Sequence, residues 1–177
     1  KLTTTLQLKT LDEWRADLTS ATQPWLAHEK GRIAALLAEL RVRLRAGRKL
    51  PLCLVHGDFH PGNILLDNHT ISVIDFEQCA MGHSASDLGY LLAQIDLQAD
   101  KYWGQQGRAN PFDIKRLRQV LFAQYTRICP ESVLELVPLY QAQTYLKHLL
   151  YTLRMKGTED PHNVTLWLDK AAAWLDA

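Results

Sequence analysis

Apolar positions along this chain recur mostly at helical steps, and at short extended runs only near its middle. Leu26, Ile33, Leu36, Leu37, Leu40 and Leu44 recur at three- and four-residue steps, the pattern of a helix with one buried stripe. The spacing predicts a long helix that starts near Pro24 at a first-turn position, runs to Gly47, and is ended by Gly47 and Pro51. A shorter helix precedes it over Leu11 to Ser20, with Thr10 as N-cap and Glu13 at the capping-box position. Leu88, Leu91, Leu92 and Ile95 make a second stripe on a helix capped by Ser84, where Ser84-Ala85-Ser86-Asp87 has capping-box spacing. Asn110-Pro111 starts another helix, which runs to about Cys129 and is stopped by Pro130. Two further helices start near Pro130 and Pro138, the second ending at Gly157, and a last one spans about Pro161 to Leu175.

The extended runs are few. Leu52 to Val55 predicts a short strand, and Ile64-Leu65-Leu66-Asp67 and Ile71-Ser72-Val73-Ile74 predict a hairpin joined by Asn68-His69-Thr70. Val73-Ile74 reads as a buried strand end. Gly82 is expected to break the chain, and the polar segment from Gln98 to Ala109, with Gly104 and Gly107, to form a loop. No internal repeat or low-complexity tract interrupts this order. The expected fold class is α+β, mainly helical, with one small β-hairpin in a single domain over residues 1–177.

Composition narrows the class without naming a chemistry. A formal net charge of +1 gives no broad electrostatic argument for nucleic acid or for an anionic membrane surface. The basic run from Arg41 to Lys49 suits the solvated, C-terminal end of a helix, where positive charge complements the dipole. Cys53, Cys79 and Cys129 are odd in number and far apart, so they read as reduced, mostly buried thiols of a cytoplasmic protein. No apolar run approaches the roughly 18 residues of a membrane span. The chain begins at Lys1 without an initiator Met or a signal-peptide core, which reads as a piece of a longer protein.

The chemistry is concentrated around the hairpin. His56-Gly57-Asp58-Phe59-His60-Pro61-Gly62-Asn63 precedes it, and Ile74-Asp75-Phe76-Glu77 closes it. Acid, amide, hairpin and second acid, in that order, form the layout of a phosphoryl-transfer site, where a base and two metal ligands stand on neighbouring loops. Transfer from a nucleotide needs a positioned metal, a positioned hydroxyl and neutralised charge more than covalent help. Asp58, beside the unobstructing Gly57, suits the base; taken alone it also suits a turn or a helix cap. Asn63 and Asp75 supply the oxygen ligands that a hard cation such as Mg²⁺ prefers. A carboxylate at a strand end is costly in a cleft unless paired or metal-bound, although Asp75 also fits an N-cap or turn.

The two motifs together resemble the catalytic and metal-binding loops of the aminoglycoside phosphotransferase and choline kinase-like family, small-molecule relatives of protein kinases. Gly82-His83-Ser84-Ala85-Ser86-Asp87-Leu88-Gly89-Tyr90 resembles that family's next element. The resemblance is strong over about residues 50 to 95 and general elsewhere. It implies that Asp58 is the catalytic base, that Asn63 and Asp75 hold Mg²⁺, that ATP or another nucleoside triphosphate is the donor, and that a small-molecule hydroxyl is the acceptor. It also implies that Asp87 braces the backbone near His56. His60 matches a histidine common in the family's loop and is expected to make a structural hydrogen bond. Glu77 stands where protein kinases carry Gly, and its contact with metal or with a cationic substrate is left open.

A kinase fold grips nucleotide phosphates with a smaller lobe, using a Gly-rich strand turn and a Lys. Residues 1–55 read as helices and show neither feature, so the chain is expected to be a C-terminal lobe lacking its N-terminal partner in cis. The apolar surface left bare would favour dimerisation. The helices after Asn110 would form the acceptor pocket, with Asp113, Glu131, Glu135, Glu159 and Asp160 as available acids. Two other readings compete. His56, Asp58 and His60 at alternate positions could converge on Zn²⁺ for hydrolysis, but Pro61-Gly62 argues for a loop, and Asn63 and Asp75 are left unexplained. A lobe without turnover, kept as a binding or regulatory module, is the non-enzymatic alternative.

Overall fold

In the computed structural model, which describes residues 4–22, 24–47, 49–100, 113–156 and 161–176, helices carry most of the chain and strands surround the two motifs. In chain order the elements are α1 (Thr4–Ser20), α2 (Lys30–Gly47), β1 (Cys53–Val55), β2 (Ile64–Asp67), β3 (Thr70–Val73), β4 (Ala80–Gly82), α3 (Ser84–Ala99), α4 (Ile114–Tyr125), α5 (Glu131–Leu134), α6 (Val137–Lys156) and α7 (Pro161–Leu175). They group into two compact units. One joins Lys1–Lys49 to Pro138–Ala177 and is discontinuous in sequence; the other is the continuous segment Leu50–Val137.

In the discontinuous unit, α1 and α7 both pack against α2. The α2 stripe of Ile33, Leu36, Leu37, Leu40 and Leu44 is buried as its spacing predicts, and α7 contributes Val164, Trp167, Leu168 and Leu175. Burying a side chain of this kind stabilises by about 1.5–3 kcal/mol. Arg41 pairs with Asp12 between α2 and α1, and Arg32 with Asp169 between α2 and α7 at 2.5 Å. These pairs lie at the surface, where each is worth about 0–1 kcal/mol; apolar packing therefore dominates.

In this unit two helix boundaries differ from the sequence reading. The first helix begins at Thr4, so Thr10 lies inside it and caps nothing. Residues 4–9 contain no Gly or Pro, while Leu, Gln and Lys favour helix, so the helix propagates upstream. The segment from Pro24 to Gly47 is divided into a 3-10 turn at Pro24–His28 and α2 from Lys30. Leu26 is fully buried in the tighter turn. Periodicity is met equally by one helix or by a turn feeding one, which is why spacing did not separate them.

The continuous unit holds two two-stranded antiparallel sheets. β1 pairs with β4, with Leu54 opposite Met81, and β2 pairs with β3, with Leu66 opposite Ile71. Gly82 does not break the chain: it pairs with Cys53, and a Cβ there would meet Val55 Cγ2 at 3.0 Å. In the hairpin, Asn68 takes a left-handed φ of 49°, a conformation Asn tolerates in turns. β3 ends at Val73, leaving Ile74 outside the strand and 41 % exposed rather than buried. Both apolar cross-strand pairs face solvent, Leu66 and Ile71 at 76 % and 70 % exposure.

Behind the sheets, α3 packs on β1, α4 and α5, with Leu88, Leu91 and Leu92 buried and Ile95 half-buried. His83, not Ser84, is its N-cap. Gln98 and Ala99 belong to α3 rather than to a loop. Asp100 is the C-cap of α3, while residues 101–109 of that expected loop and the Asn110-Pro111 helix start lie outside the described residues, as does Gly157. Asp113 caps α4 by accepting from Arg116 N at 2.9 Å, and α4 ends at Tyr125, short of Cys129. Arg118 and Asp96 tie α4 to α3 at 2.7 Å. The three cysteines are free thiols; Cys53 is exposed and Cys79 and Cys129 are half-buried, so burial is lower than expected. Among the described residues no helix is long and apolar enough to cross a membrane.

Candidate active site

The two motifs are joined through backbone before any side chain acts. Pairing of Ile64 with Val73 closes the hairpin, and Ile74 N donates to Asn63 O at 3.0 Å just beyond it. The end of the His56 to Asn63 loop is thereby held against the start of the Asp75 loop.

His56 adds a second tie. Its ring is buried, 7 % exposed, and Nδ1 accepts from Asp58 N at 3.3 Å. An accepting Nδ1 carries no proton, so Nε2–H is the donor to the Ile74 carbonyl at 2.8 Å. The same ring packs against Phe76, with centroids 4.8 Å apart. One imidazole thus shapes the first loop and fastens it to the second.

At Gly57 the loop takes φ 82°, and a Cβ there would meet Gln78 O at 2.4 Å. Gly is the residue that meets both demands. Asp87, in the first turn of α3, receives the two backbone N–H groups that this turn presents. Its Oδ2 accepts from His56 N at 2.7 Å and its Oδ1 from Gly57 N at 3.0 Å. Charge-assisted bonds of this type are stronger than neutral ones, and a carboxylate in a first helical turn is favoured by the dipole. Asp87 faces the loop with both oxygens, in place of the capping-box partner that its spacing from Ser84 suggests. Nearby, burial and then the Asp87 charge push the Tyr125 hydroxyl above its ordinary range. Burial holds the His83 imidazole below its usual value, partly offset by a hydrogen bond with the Leu50 backbone.

Asp58 follows the turn, half-buried. Asn63, 6 % exposed, donates from Nδ2 to the Asp58 carbonyl at 3.0 Å, which leaves its amide oxygen as the available ligand atom. His60 Nδ1 accepts from Gly62 N at 3.1 Å and caps the 3-10 turn Pro61–Asn63. Its Nε2 lies 3.7 Å from Asp58 Oδ2. Asp75 is exposed in the left-handed region, φ 65° and ψ 61°, at the start of the 3-10 turn Phe76–Gln78. It holds the N-cap position of that turn, as one reading of it expected, but makes no side-chain capping bond. An amide oxygen and a carboxylate, one from each end of the hairpin, form a donor set that suits a hard cation. Glu77 is exposed beside them.

The structure also brings in residues to which the sequence reading gave no role. The Tyr90 hydroxyl lies near the side chains of Asp58 and Gln94. Burial first, and then the Asp58 charge, push it well above the ordinary tyrosine range, while Gln94 acts in the opposite direction. An aromatic at helical spacing reads as core, which hid it. The available signal was register: Asp87, Tyr90 and Gln94 fall at i, i+3 and i+7 and share a helix face.

Other expected groupings do not form. Among the described residues no three His, Cys, Asp or Glu side chains gather to hold a metal ion, so the His56, Asp58 and His60 zinc reading fails. The alternation it required stops at Val55, where β1 ends, and the left-handed Gly57 turns the chain before Asp58. Of the acids considered for the acceptor pocket, Asp113 is an N-cap, Glu131 and Glu135 are exposed on and beside α5, and Glu159 and Asp160 lie outside the described residues.

No curated protein and no solved structure matches the chain. A family model does: that of the phosphotransferase enzyme family, over residues 4–125. The match begins at α1, takes in both loops of the hairpin and Asp87, and ends with α4. It covers more than half of the chain and agrees with the resemblance carried by the two motifs, so this protein belongs to the phosphotransferase enzyme family.

Proposed function

We propose that the chain is the substrate-side lobe of an ATP-dependent small-molecule kinase, with a kinase-like fold, working in the cytoplasm. The observation that carries this reading is the double tie between the loops, Ile74 N to Asn63 O and His56 Nε2 to Ile74 O. It keeps Asp58 and Asn63 in one assembly with the loop that bears Asp75. In this reading Asp58 takes the proton of the acceptor hydroxyl. The acceptor oxygen forms its bond to the γ-phosphorus, and the bond from that phosphorus to the β–γ bridging oxygen breaks, leaving its electron pair on ADP. Asn63 Oδ1 and the Asp75 carboxylate would hold Mg²⁺, which supplies charge neutralisation to the phosphates when bound. Asp87 and His56 keep the loop in shape and act through it.

A nucleotide-gripping lobe in cis completes the proposal. Two observations support it. Among the described residues before His56 there is no Gly-rich strand pair, and the Leu54–Met81 and Leu66–Ile71 pairs present apolar surface to solvent. Free thiols at Cys53, Cys79 and Cys129 suit a reducing compartment.

The test is Asp58→Asn in the intact protein, assayed with MgATP against a panel of amino alcohols, sugars and aminoglycosides. Transfer should fall by at least about 100-fold while ATP affinity changes little. Undiminished transfer would remove Asp58 as the base. ATP binding with no transfer to any acceptor, in the unsubstituted protein, would favour a binding module.

A further inference from the structure

The His60 side chain makes one bond inside its own loop and brings its other nitrogen to the proposed base. Nδ1 accepts from Gly62 N at 3.1 Å and caps the Pro61–Asn63 turn. An accepting Nδ1 carries no proton, so the ring is neutral and its hydrogen stands on Nε2. The ring is confined on two sides. Gly62 lets it lie close over the backbone, where a Cβ would meet Cε1 at 2.9 Å, and Tyr90 stands edge-on with centroids 6.2 Å apart. In that place Nε2 is 3.7 Å from Asp58 Oδ2. The gap is too long for a direct hydrogen bond, whose N···O distance is about 2.7–3.2 Å, and short enough for one oxygen to lie within reach of both atoms. The two side chains are 29 % and 19 % exposed, so the pair is not sealed from solvent.

We propose that His60 and Asp58 hold the acceptor oxygen between them: the hydroxyl accepts from His60 Nε2–H and donates its proton to Asp58 Oδ2. The inference rests on the assignment of Asp58 as base and adds a second contact to the same oxygen. A hydroxyl oxygen has four directions, to its carbon, its hydrogen and two lone pairs. Asp58 takes the hydrogen and His60 occupies one lone pair, so the other is left for the γ-phosphorus. Fixing the reacting atom in this way lowers the cost of reaching the in-line geometry. As the proton passes to Asp58, the oxygen–phosphorus bond forms and the β–γ bridging bond breaks, with its electron pair left on ADP. Nε2 keeps its hydrogen throughout and stabilises the charge that builds on the attacking oxygen. A neutral imidazole suits this place, because a cation there would draw the Asp58 carboxylate into an ion pair of its own. The two nitrogens of one ring divide the work: Nδ1 shapes the turn that leads to Asn63, and Nε2 meets the acceptor.

The two nitrogens can be tested separately on the intact protein, with MgATP as donor and water as the acceptor probe, read as phosphate release. His60→Asn keeps a capping acceptor near the Nδ1 position and removes the far donor. His60→Gln places an amide N–H near the Nε2 position and removes the cap. We expect His60→Asn to lower kcat about 10–100-fold, with KM for MgATP and the melting temperature unchanged. His60→Gln should recover most of that loss while lowering the melting temperature. Because both groups act on one oxygen, adding His60→Asn to Asp58→Asn should cost much less than His60→Asn costs alone. Wild-type kcat in His60→Asn beside a strongly impaired Asp58→Asn would overturn the inference and leave the base assignment standing. So would a His60→Gln variant impaired as much as His60→Asn or more, which would reduce His60 to a turn cap, or losses that add in full. Wild-type turnover in Asp58→Asn would overturn the base assignment and this inference with it. A protein that neither releases phosphate nor transfers it to the hydroxyl panel would overturn both as well.

Discussion

At Gly57 the backbone has φ 82°, and an added Cβ would meet the Gln78 carbonyl oxygen at 2.4 Å, so conformation and space act on the same position. Gly57→Ala must either hold a left-handed backbone, which costs a non-glycine residue about 1–3 kcal/mol, or displace the Gln78 segment. We expect a loss of about 2 kcal/mol or more, seen as a melting temperature lowered by roughly 4–8 °C; an unchanged melting temperature would show that the loop relaxes freely. Asp75 carries the same backbone hand with a side chain in place, φ 65°, and accepts that strain at the position where the proposed function needs a carboxylate. Single residues of the site were legible in different degrees. Asp58, Asn63 and Asp75 stood out because acid, amide and acid flank a hairpin in order. Tyr90 did not, because its ring resembles a core aromatic and only its place near Asp58 distinguishes it.

Among the elements, α3 has two tasks, one in the core and one at the loop. Leu88, Leu91 and Leu92 anchor it, while its first turn directs Asp87 at the backbone of His56 and Gly57. Asp87→Asn keeps the shape but replaces one accepting oxygen with an N–H group facing a backbone N–H. Losing a hydrogen bond to a charged group costs about 1.5–3 kcal/mol. Displacement of the loop by even 1 Å should reduce kcat about 100-fold, well beyond the change in MgATP affinity. Equal losses in kcat and affinity would argue that Asp87 supports binding instead. The helices of this protein were legible because apolar spacing is a local signal, and α2, α6 and α7 follow it closely. β4 was not legible. Three residues ending in Gly have no periodicity, and what makes them a strand is β1, whose sequence lies about twenty-five residues earlier. The Ser84 to Asp87 spacing was ambiguous for a related reason: one acid in a first helical turn satisfies a capping pattern or a distant backbone equally well.

For the molecule as a whole, the two units differ in how the chain closes them. The hydrogen bonds that fix the backbone of the candidate site join residues at most 31 positions apart. In the other unit, α2 waits for α7, and Arg32 and Asp169 are 137 positions apart. Deleting residues 161–177 should therefore unfold α1 and α2 selectively. Hydrogen exchange should show their amides losing protection while those of the hairpin and α3 keep it, and loss of protection in both units together would contradict this. The same asymmetry sets an order of events on the ribosome. The site segment can fold as it emerges, but the part of α2 that α7 covers stays bare while more than a hundred further residues are added, on the order of ten seconds at ordinary translation rates. During that interval α2 has α1 as its partner but lacks α7, so part of its apolar face is open to aggregation until α7 is made.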